Sequence, residues 1–318
     1  MKEITKILLI IATFLILIGG GLFTLGLYNN GLVFFHPNQI TATYKISTDF
    51  NSINIDVRTS NVKVLPSTDN TNQVICYETD KITHKVEVID NSLNITFVDN
   101  SKFYDHIMIY SNINIEVYLS KTMLDTLSIE ATTGDINIEK SFTFNNVNID
   151  VTTGDITFEG VVNNTLNINT TTGDIKVSNT NANKLFVKTT TGDIKIDDVN
   201  IKENIESELT SGESIFNNVT CKTFSSNGGT GDVKLKNVIV NDKMYIERNT
   251  GFVYLDRCDA NDIEIKTTTG DIKGSLLSEK NFKANTSTGD VKVPSSSSNS
   301  ICKLNTTTGD IIITIIKD

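Results

Sequence analysis

Carboxylates recur along this sequence at a fixed interval, each directly after a glycine, and such a row could bind cations. They are Asp135, Asp155, Asp174, Asp193, Glu213, Asp232, Asp271, Asp290 and Asp310, with Phe252 at the corresponding position of one repeat. Calcium takes about six to eight oxygen ligands, and these repeats supply no others. A lysine also stands two residues after several of the carboxylates. We therefore predict a structural row and no metal site, with weak cation binding as the alternative.

Catalytic and metal-binding motifs are missing from the sequence. The histidines and cysteines are scattered, at His36, His84, His106, Cys76, Cys221, Cys258 and Cys302. A metal site formed by Cys76 and a histidine would lack the usual ligand spacing. No P-loop, dinucleotide-binding or serine-elbow motif is present. The sequence thus predicts no catalytic residues and no cofactor, and we expect a protein that is not an enzyme.

One stretch departs from the repeat and forms a candidate partner-contact patch. Tyr245, Arg248, Phe252 and Tyr254 lie close together in sequence. Exposed aromatic residues with arginine are the usual composition of binding hot spots. Neutral drift in a tolerant scaffold is the favoured explanation of this departure, and the patch is kept as a candidate beside it.

The motif Thr-Gly-Asp followed by Ile or Val sets the positions of all these residues. Its glycines, spaced 19 or 20 residues apart, are Gly134, Gly154, Gly173, Gly192, Gly212, Gly231, Gly251, Gly270, Gly289 and Gly309. Apolar residues alternate with polar ones on both sides of each glycine, which predicts strands with one buried face. Each repeat is interpreted as a strand, a tight Thr-Gly-Asp corner, a second strand and a polar return loop.

Such a short unit buries its apolar face only by stacking on its neighbours, so the fold class is all-β, a single-stranded β-solenoid. Propeller blades need about 40 residues, and a sandwich does not require a constant period. We expect residues 31–125 to form degenerate coils that cap the stack and residues 126–318 to form ten rungs. The cysteines fall at different phases of the repeat, which predicts free, mostly buried thiols. The isoleucine-rich strand at 311–316 is expected to be an exposed edge capable of self-association.

The first 30 residues form a separate, apolar segment. Residues 7–27 are uncharged and mostly apolar, long enough for one transmembrane helix. Lys2 and Lys6 precede this run, so the positive-inside rule keeps the N-terminus cytoplasmic and exports the rest. We predict a single-pass cell-membrane protein whose bulk is extracytoplasmic. A cleaved signal peptide is the alternative.

The Thr-Gly-Asp-Ile repeats, the segment at 113–120 and the glycine-containing anchor together resemble the bacterial putative adhesin family, a β-strand-repeat domain of unknown function. The resemblance covers most of residues 45–315. It implies a surface-exposed protein and supplies no catalytic residues. Some relatives resemble accessory proteins of cell-envelope stress operons.

Three functions are consistent with these features. We expect a non-enzymatic, membrane-anchored surface scaffold that binds an unidentified envelope component or protein. An accessory role in envelope-stress signalling is the alternative. A polysaccharide-active β-helix enzyme is disfavoured because the uniform spacing leaves no room for the long loops of a substrate groove. The net charge of −10 argues against nucleic-acid binding.

Overall fold

The computed structural model describes residues 2–30, 39–79, 81–100, 113–295 and 298–316. Helix α1 (Lys2–Asn30) precedes strands that occupy most of the chain. The strands are β1 (Ile40–Ile46), β2 (Ser52–Thr59), β3 (Asn61–Pro66), β4 (Asn72–Glu78), β5 (Ile82–Ile89), β6 (Ser92–Asp99), β7 (Asn114–Leu119), β8 (Met123–Thr133), β9 (Ile136–Ile138), β10 (Thr143–Thr153), β11 (Ile156–Thr172), β12 (Ile175–Thr191), β13 (Ile194–Ile201), β14 (Asn204–Ser211), β15 (Ser214–Cys221), β16 (Thr223–Thr230), β17 (Val233–Thr250), β18 (Val253–Thr269), β19 (Ile272–Leu276), β20 (Asn281–Thr288), β21 (Val291–Lys292), β22 (Ile301–Thr308) and β23 (Ile311–Ile315).

Successive repeats stack in parallel and in register, as the sequence predicted. Leu166 pairs with Leu185, and Leu185 pairs with Ile205 in the next coil. All three side chains are fully buried. Repetition of this contact along the stack builds one continuous apolar column inside the solenoid. The prediction of an all-β solenoid is therefore confirmed.

The corner glycines form a second column, at the outer turn of each coil. A side chain at Gly192, for example, would place its Cβ 2.0 Å from the carbonyl oxygen of Gly173. Its φ of 142° is also a conformation that residues with a Cβ rarely adopt. Glycine is thus required here because the backbones of successive corners are nearly in contact.

The segment that returns from each coil to the next is a strand rather than the predicted loop. A residue with positive φ stands six positions after most corner glycines. It shifts the alternation of inward-pointing and outward-pointing side chains by one residue. The residues at this position are Gly160, Asn179, Asp198, Asn218, Asn237 and Arg257. In β13 the shift turns Val199 and Ile201 into the core, where they are 2% and 1% exposed. Each of these coils therefore has three strand segments, and the prediction of a return loop was wrong.

The order of the last two coils in the stack is reversed relative to the sequence. Strand β22 pairs with both β18 and β20, and β23 pairs with both β19 and β21. The coil that contains Gly309 therefore lies between the coils of Gly270 and Gly289. Ile311 and Ile313 are 0% and 3% exposed, so the predicted exposure of this strand does not hold for its inward-pointing residues, and self-association at 311–316 stays a prediction. Ile311 and Ile312 pair with both β19 and β21, whereas Ile313–Ile315 pair with β19 alone among the described residues. Strands β20 and β21 form the outer edge of the stack beside them.

The N-terminal end shows a similar arrangement and then changes strand direction. Strands β2 and β3 form a coil with Ser60 in the place of the corner glycine, against the Gly134 coil. Strands β6 and β7 lie outside that coil although they follow it in sequence. Strand β5 pairs antiparallel with β6, and β4 pairs antiparallel with both β7 and β1. The expectation of degenerate coils thus fits β2, β3, β6 and β7, whereas β1, β4 and β5 pair antiparallel with their neighbours.

Candidate functional site

The carboxylates that follow the corner glycines accept hydrogen bonds from backbone amides of the corner in the next coil. Asp155 Oδ1 accepts a hydrogen bond of 2.8 Å from the amide of Asp174, whose own Oδ1 accepts one of 2.7 Å from Asp193. The amide of Phe252 donates in the same way to Asp232, at 2.8 Å. One oxygen of each of these carboxylates is therefore committed to the next coil, which gives the row a structural role.

Lysines neutralise part of this row near the C-terminal end. Lys273 Nζ lies 2.7 Å from Asp271 Oδ2 and 3.5 Å from Asp310 Oδ2. The hydrogen bond from Lys273, followed by that from the Asp310 amide, lowers the pKa of Asp271 below its usual value. Such a paired carboxylate has less free charge to offer a bound cation.

Arg248 points into the solenoid, so the prediction that it belongs to an exposed patch was wrong. It occupies a position three residues before the glycine where several other coils carry threonine. Thr170 and Thr189 there donate to the corner carbonyl of the preceding coil, at 3.3 and 3.1 Å. Arg248 is instead 1% exposed, and its Nη2 donates to Ser214 Oγ and Ser226 Oγ, both at 3.0 Å.

The buried guanidinium has no anionic partner among the described residues. Desolvation lowers the pKa of Arg248 to about 10, and its Nε has no hydrogen-bond partner in that part of the chain. Gly228 makes room for it, since a Cβ there would lie 2.9 Å from the guanidinium carbon. The small residues of neighbouring coils thus explain why an arginine fits in this core.

The two adjacent glycines also leave a depression on the outer surface. An open cleft of about 360 Å³ is lined by Lys188, Thr189, Glu208, Leu209, Thr210, Asn227, Gly228, Gly229 and Asn249. Lys188 and Glu208 form an ion pair of 2.9 Å beside it. The cleft is a consequence of missing side chains, and the sequence analysis did not predict it.

The aromatic residues of the predicted patch lie on two different strand segments. Phe252 and Tyr254 flank the first residue of β18, and both point outward, with 54% and 50% of their surface exposed. Tyr254 stands in register between Lys234 and Lys273 of the neighbouring coils. Tyr245 precedes the corner, is half-buried and hydrogen-bonds to Glu247. Only Phe252 and Tyr254 therefore combine into one exposed surface.

The four cysteines are free and buried, as predicted. Burial raises the pKa of Cys221, Cys258 and Cys302 to about 12, so these thiols stay protonated. Burial, followed by the charge of Glu78, also raises the pKa of Cys76 to about 12. Cys76 differs from the other three only in its surroundings, because Glu78 and His84 lie beside it in the antiparallel part of the fold. The other two histidines, His36 and His106, lie outside the described residues.

The family of this chain follows from its repeats. Residues 50–213 and 241–317 match the family described as Toastrack DUF4097, a domain of unknown function. The chain belongs to this family. The predicted resemblance to an adhesin-like β-strand-repeat family is confirmed, and the segment between the matched ranges contains Ser214, Ser226 and Gly228 of the Arg248 environment.

Solved structures with similar folds cover most of the chain. A putative lipid binding protein from Parabacteroides distasonis ATCC 8503 is 16% identical with a TM-score of 0.51, over 77% of this chain and 98% of that one. A putative adhesin from the same organism is 14% identical with a TM-score of 0.49, over 76% and 97%. A putative adhesin from Bacteroides fragilis NCTC 9343 is 17% identical with a TM-score of 0.35, over 88% and 97%. No curated protein matches the chain. The first of these likenesses establishes similarity of fold alone.

Proposed function

We propose that this Toastrack protein is a non-enzymatic scaffold tethered to the outer face of a cell membrane, and that it binds an envelope partner through Phe252 and Tyr254. The exposure of these two aromatic side chains on one surface is the observation that carries the proposal. Elsewhere in the stack the same two rows hold mainly aspartate and lysine, so the aromatic pair interrupts a charged surface.

Helix α1 supports the membrane tether. Residues Thr5–Leu25 have a mean hydropathy of 2.6, and none of this segment is buried against the protein. A helix of 21 residues spans roughly 31 Å, the thickness of a bilayer core. A signal sequence would have the same properties, so the mass of the mature protein is the test. A tethered protein retains residues 1–30 and fractionates with membranes, whereas cleavage would leave a chain that begins after the helix.

The regularity of the stack supports a scaffold rather than an enzyme. From β10 to β18 the coils follow one another without an inserted loop. Enzyme sites need convergent polar groups in a concave pocket. Here the cleft beside Gly228 is open, and its one lysine and one glutamate form an ion pair with each other.

The aromatic pair has the composition of a contact surface. Aromatic side chains supply large contact areas at low entropic cost and are enriched at binding hot spots. Lys234 and Lys273 stand in register on either side of Tyr254. Both lysines are already paired with carboxylates, Lys234 with Glu213 and Lys273 with Asp271 and Asp310. The aromatic pair therefore favours a partner that offers an apolar or planar surface.

Crosslinking on intact cells tests the contact. The variant Phe252→Asp with Tyr254→Lys replaces the pair by the residues that neighbouring coils carry, so we expect the fold to be kept. Replacement should abolish the crosslinked partner seen with the wild-type chain. Lys176→Ala, two residues after the carboxylate of another coil, is the matched control and should retain the partner.

Two outcomes would contradict the proposal. An unchanged crosslinking pattern in the double variant would show that the aromatic pair is not the contact. Loss of the partner in the Lys176→Ala control as well would show that binding depends on the charged rows. Identification of the captured partner as a sensor kinase or its regulator would instead support the envelope-stress role.

A further inference from the structure

We propose that Cys76, Glu78 and His84 form a binding site for a divalent transition metal, with zinc as the best match. Their Sγ, carboxylate oxygen and ring nitrogen all lie within 4.8 Å of one another. The three residues are 0%, 5% and 4% exposed. It is the one such group among the described residues, and it lies in the antiparallel part of the fold, away from Phe252 and Tyr254.

Local structure fixes the three side chains toward the same interior. Cys76 and Glu78 are two residues apart on β4, so they point to the same side of the strand. The turn that follows is held by Thr79, whose amide donates to the carbonyl of Ile82 and whose hydroxyl accepts from the amide of Ile82, both at 3.0 Å. This turn brings His84, near the start of β5, back to Glu78.

The separations suit a tetrahedral metal. His84 Nδ1 lies 3.1 Å from Glu78 Oε1. Two ligands bonded to zinc at about 2.0–2.1 Å in a tetrahedral arrangement stand roughly 3.3 Å apart. A metal therefore fits between this pair with small shifts of the side chains. Ser60 Oγ, 3.3 Å from His84 Nε2, fixes the opposite edge of the ring, as partners of metal-bound histidines usually do.

The donor set also balances the charge of such a metal. A thiolate and a carboxylate carry two negative charges, and a neutral imidazole adds none, so a divalent cation leaves the buried site neutral. Cysteine with histidine favours zinc over calcium or magnesium, which prefer oxygen ligands. Three protein ligands leave a fourth position for water. In the competing arrangement no metal binds: Glu78 Oε1 keeps its hydrogen bonds to the backbone amide and the ring of His84, at 2.7 and 3.1 Å, and Cys76 takes no part.

Metal content distinguishes these arrangements. The full-length protein would be purified in detergent from zinc-supplemented cells, freed of loose metal and analysed by mass spectrometry. We expect about one zinc per chain. Replacement by cobalt should produce a thiolate-to-cobalt charge-transfer band. Cys76→Ser and His84→Gln should lose both signals, and Cys302→Ser, which removes a buried thiol elsewhere, should keep them.

The proposal fails if the wild-type chain binds less than a tenth of an equivalent of zinc and shows no cobalt band. It also fails if Cys76→Ser, shown to be folded by circular dichroism, binds as much metal as the wild type. Should Cys76→Ser fail to fold, the cobalt spectrum of a protein in which Cys221, Cys258 and Cys302 are all replaced by alanine, so that Cys76 is the one thiol left, decides. A thiolate band in that protein supports the site, and its absence overturns it.

Discussion

At the scale of single residues, Arg248 shows how a solenoid core accommodates a charge. Burying an ionised group without a counter-ion is costly unless its hydrogen bonds are met. Here two serine hydroxyls of neighbouring coils and the carbonyl of Glu247 accept from the guanidinium. Gly228 supplies the space. The residue types of several coils are thus adapted to one arginine.

This adaptation predicts that Gly228 and Arg248 are energetically coupled. Gly228→Ala should lower the free energy of unfolding by about 2–3 kcal/mol in the wild-type chain, because the new Cβ meets the guanidinium. The same change should cost less in an Arg248→Thr background, where the shorter side chain leaves space. Urea unfolding of the two single variants and the double variant measures the coupling. Equal costs in both backgrounds would show that the clash is with the backbone of Leu209 instead.

The buried thiols predict an absence of reactivity across the ordinary pH range. Because burial raises the pKa of Cys221, Cys258 and Cys302 to about 12, each stays protonated well above the pKa of an exposed thiol. Alkylation of the native protein should therefore not rise between about pH 7 and about pH 9, where an exposed cysteine becomes a thiolate. Mass spectrometry after alkylation checks this at each cysteine. The denatured chain is the control and should be fully labelled.

At the scale of the coil, one residue of positive φ converts the return segment into a strand. Asn218 has a φ of 52°, donates to Asp198 Oδ1 at 2.8 Å and accepts from Asn237 Nδ2 at 2.9 Å. Asparagine tolerates this conformation better than most residues. The same side chain also links three successive coils, so conformation and stacking are satisfied together.

Substitutions of Asn218 can therefore separate what its positive φ and its side-chain hydrogen bonds each contribute to the stability of the fold. Asn218→Ala loses both the hydrogen bonds and the tolerance of positive φ, and should cost about 1–2 kcal/mol of stability. Asn218→Gly loses only the hydrogen bonds and should be closer to the wild type. Asn217→Ala removes a comparable hydrogen bond at a position without positive φ and is the matched control. Thermal unfolding ranks the variants, and an alanine variant as stable as the glycine variant would contradict this account.

The period of the sequence was sufficient to predict the corners and the inward rows, because every coil repeats the same local pattern. Leu166, Leu185 and Ile205 touch as their spacing required. The third strand was missed because a positive φ at Asn218 shifts the alternation, and polar residues around it resemble a loop. Arg248 was misplaced because its burial depends on serine and glycine in other coils. The Cys76 group was set aside because its members lie on two strands joined by a turn.

At the scale of the whole molecule, the two ends of the stack are built differently from its middle. The order of coils follows the sequence from Gly134 through Gly270 and then reverses for the last two. Neither the period nor the composition of a coil determines which coil stacks on it, because the strands of every coil present the same backbone hydrogen-bonding groups to their neighbours. This is why the reversed order could not be predicted from the repeat alone.

The reversal makes the C-terminal coils a cooperative unit. Ile313→Asp would place a charge at a position that is 3% exposed, so it should open the last coils. Amide exchange should accelerate across residues 281–316 while residues 143–211 stay protected, since solenoid stability is transmitted between neighbours. Ile312→Asp, on the outward face of the same strand, is the control and should leave exchange nearly unchanged. Acceleration throughout the chain would show that the stack unfolds as a single unit instead.

The reversed order also constrains how the molecule is assembled. A solenoid that grows layer by layer as the polypeptide emerges would settle β20 directly on β18 and close the position that β22 occupies in the finished molecule. Residues 281–292 must therefore stay undocked, or dissociate from β18, until β22 and β23 have taken their place in the stack. The last coil to be synthesised, which contains Gly309, thus completes this end by inserting between two coils that were made before it. Addition of coils in the order of synthesis would not produce this arrangement.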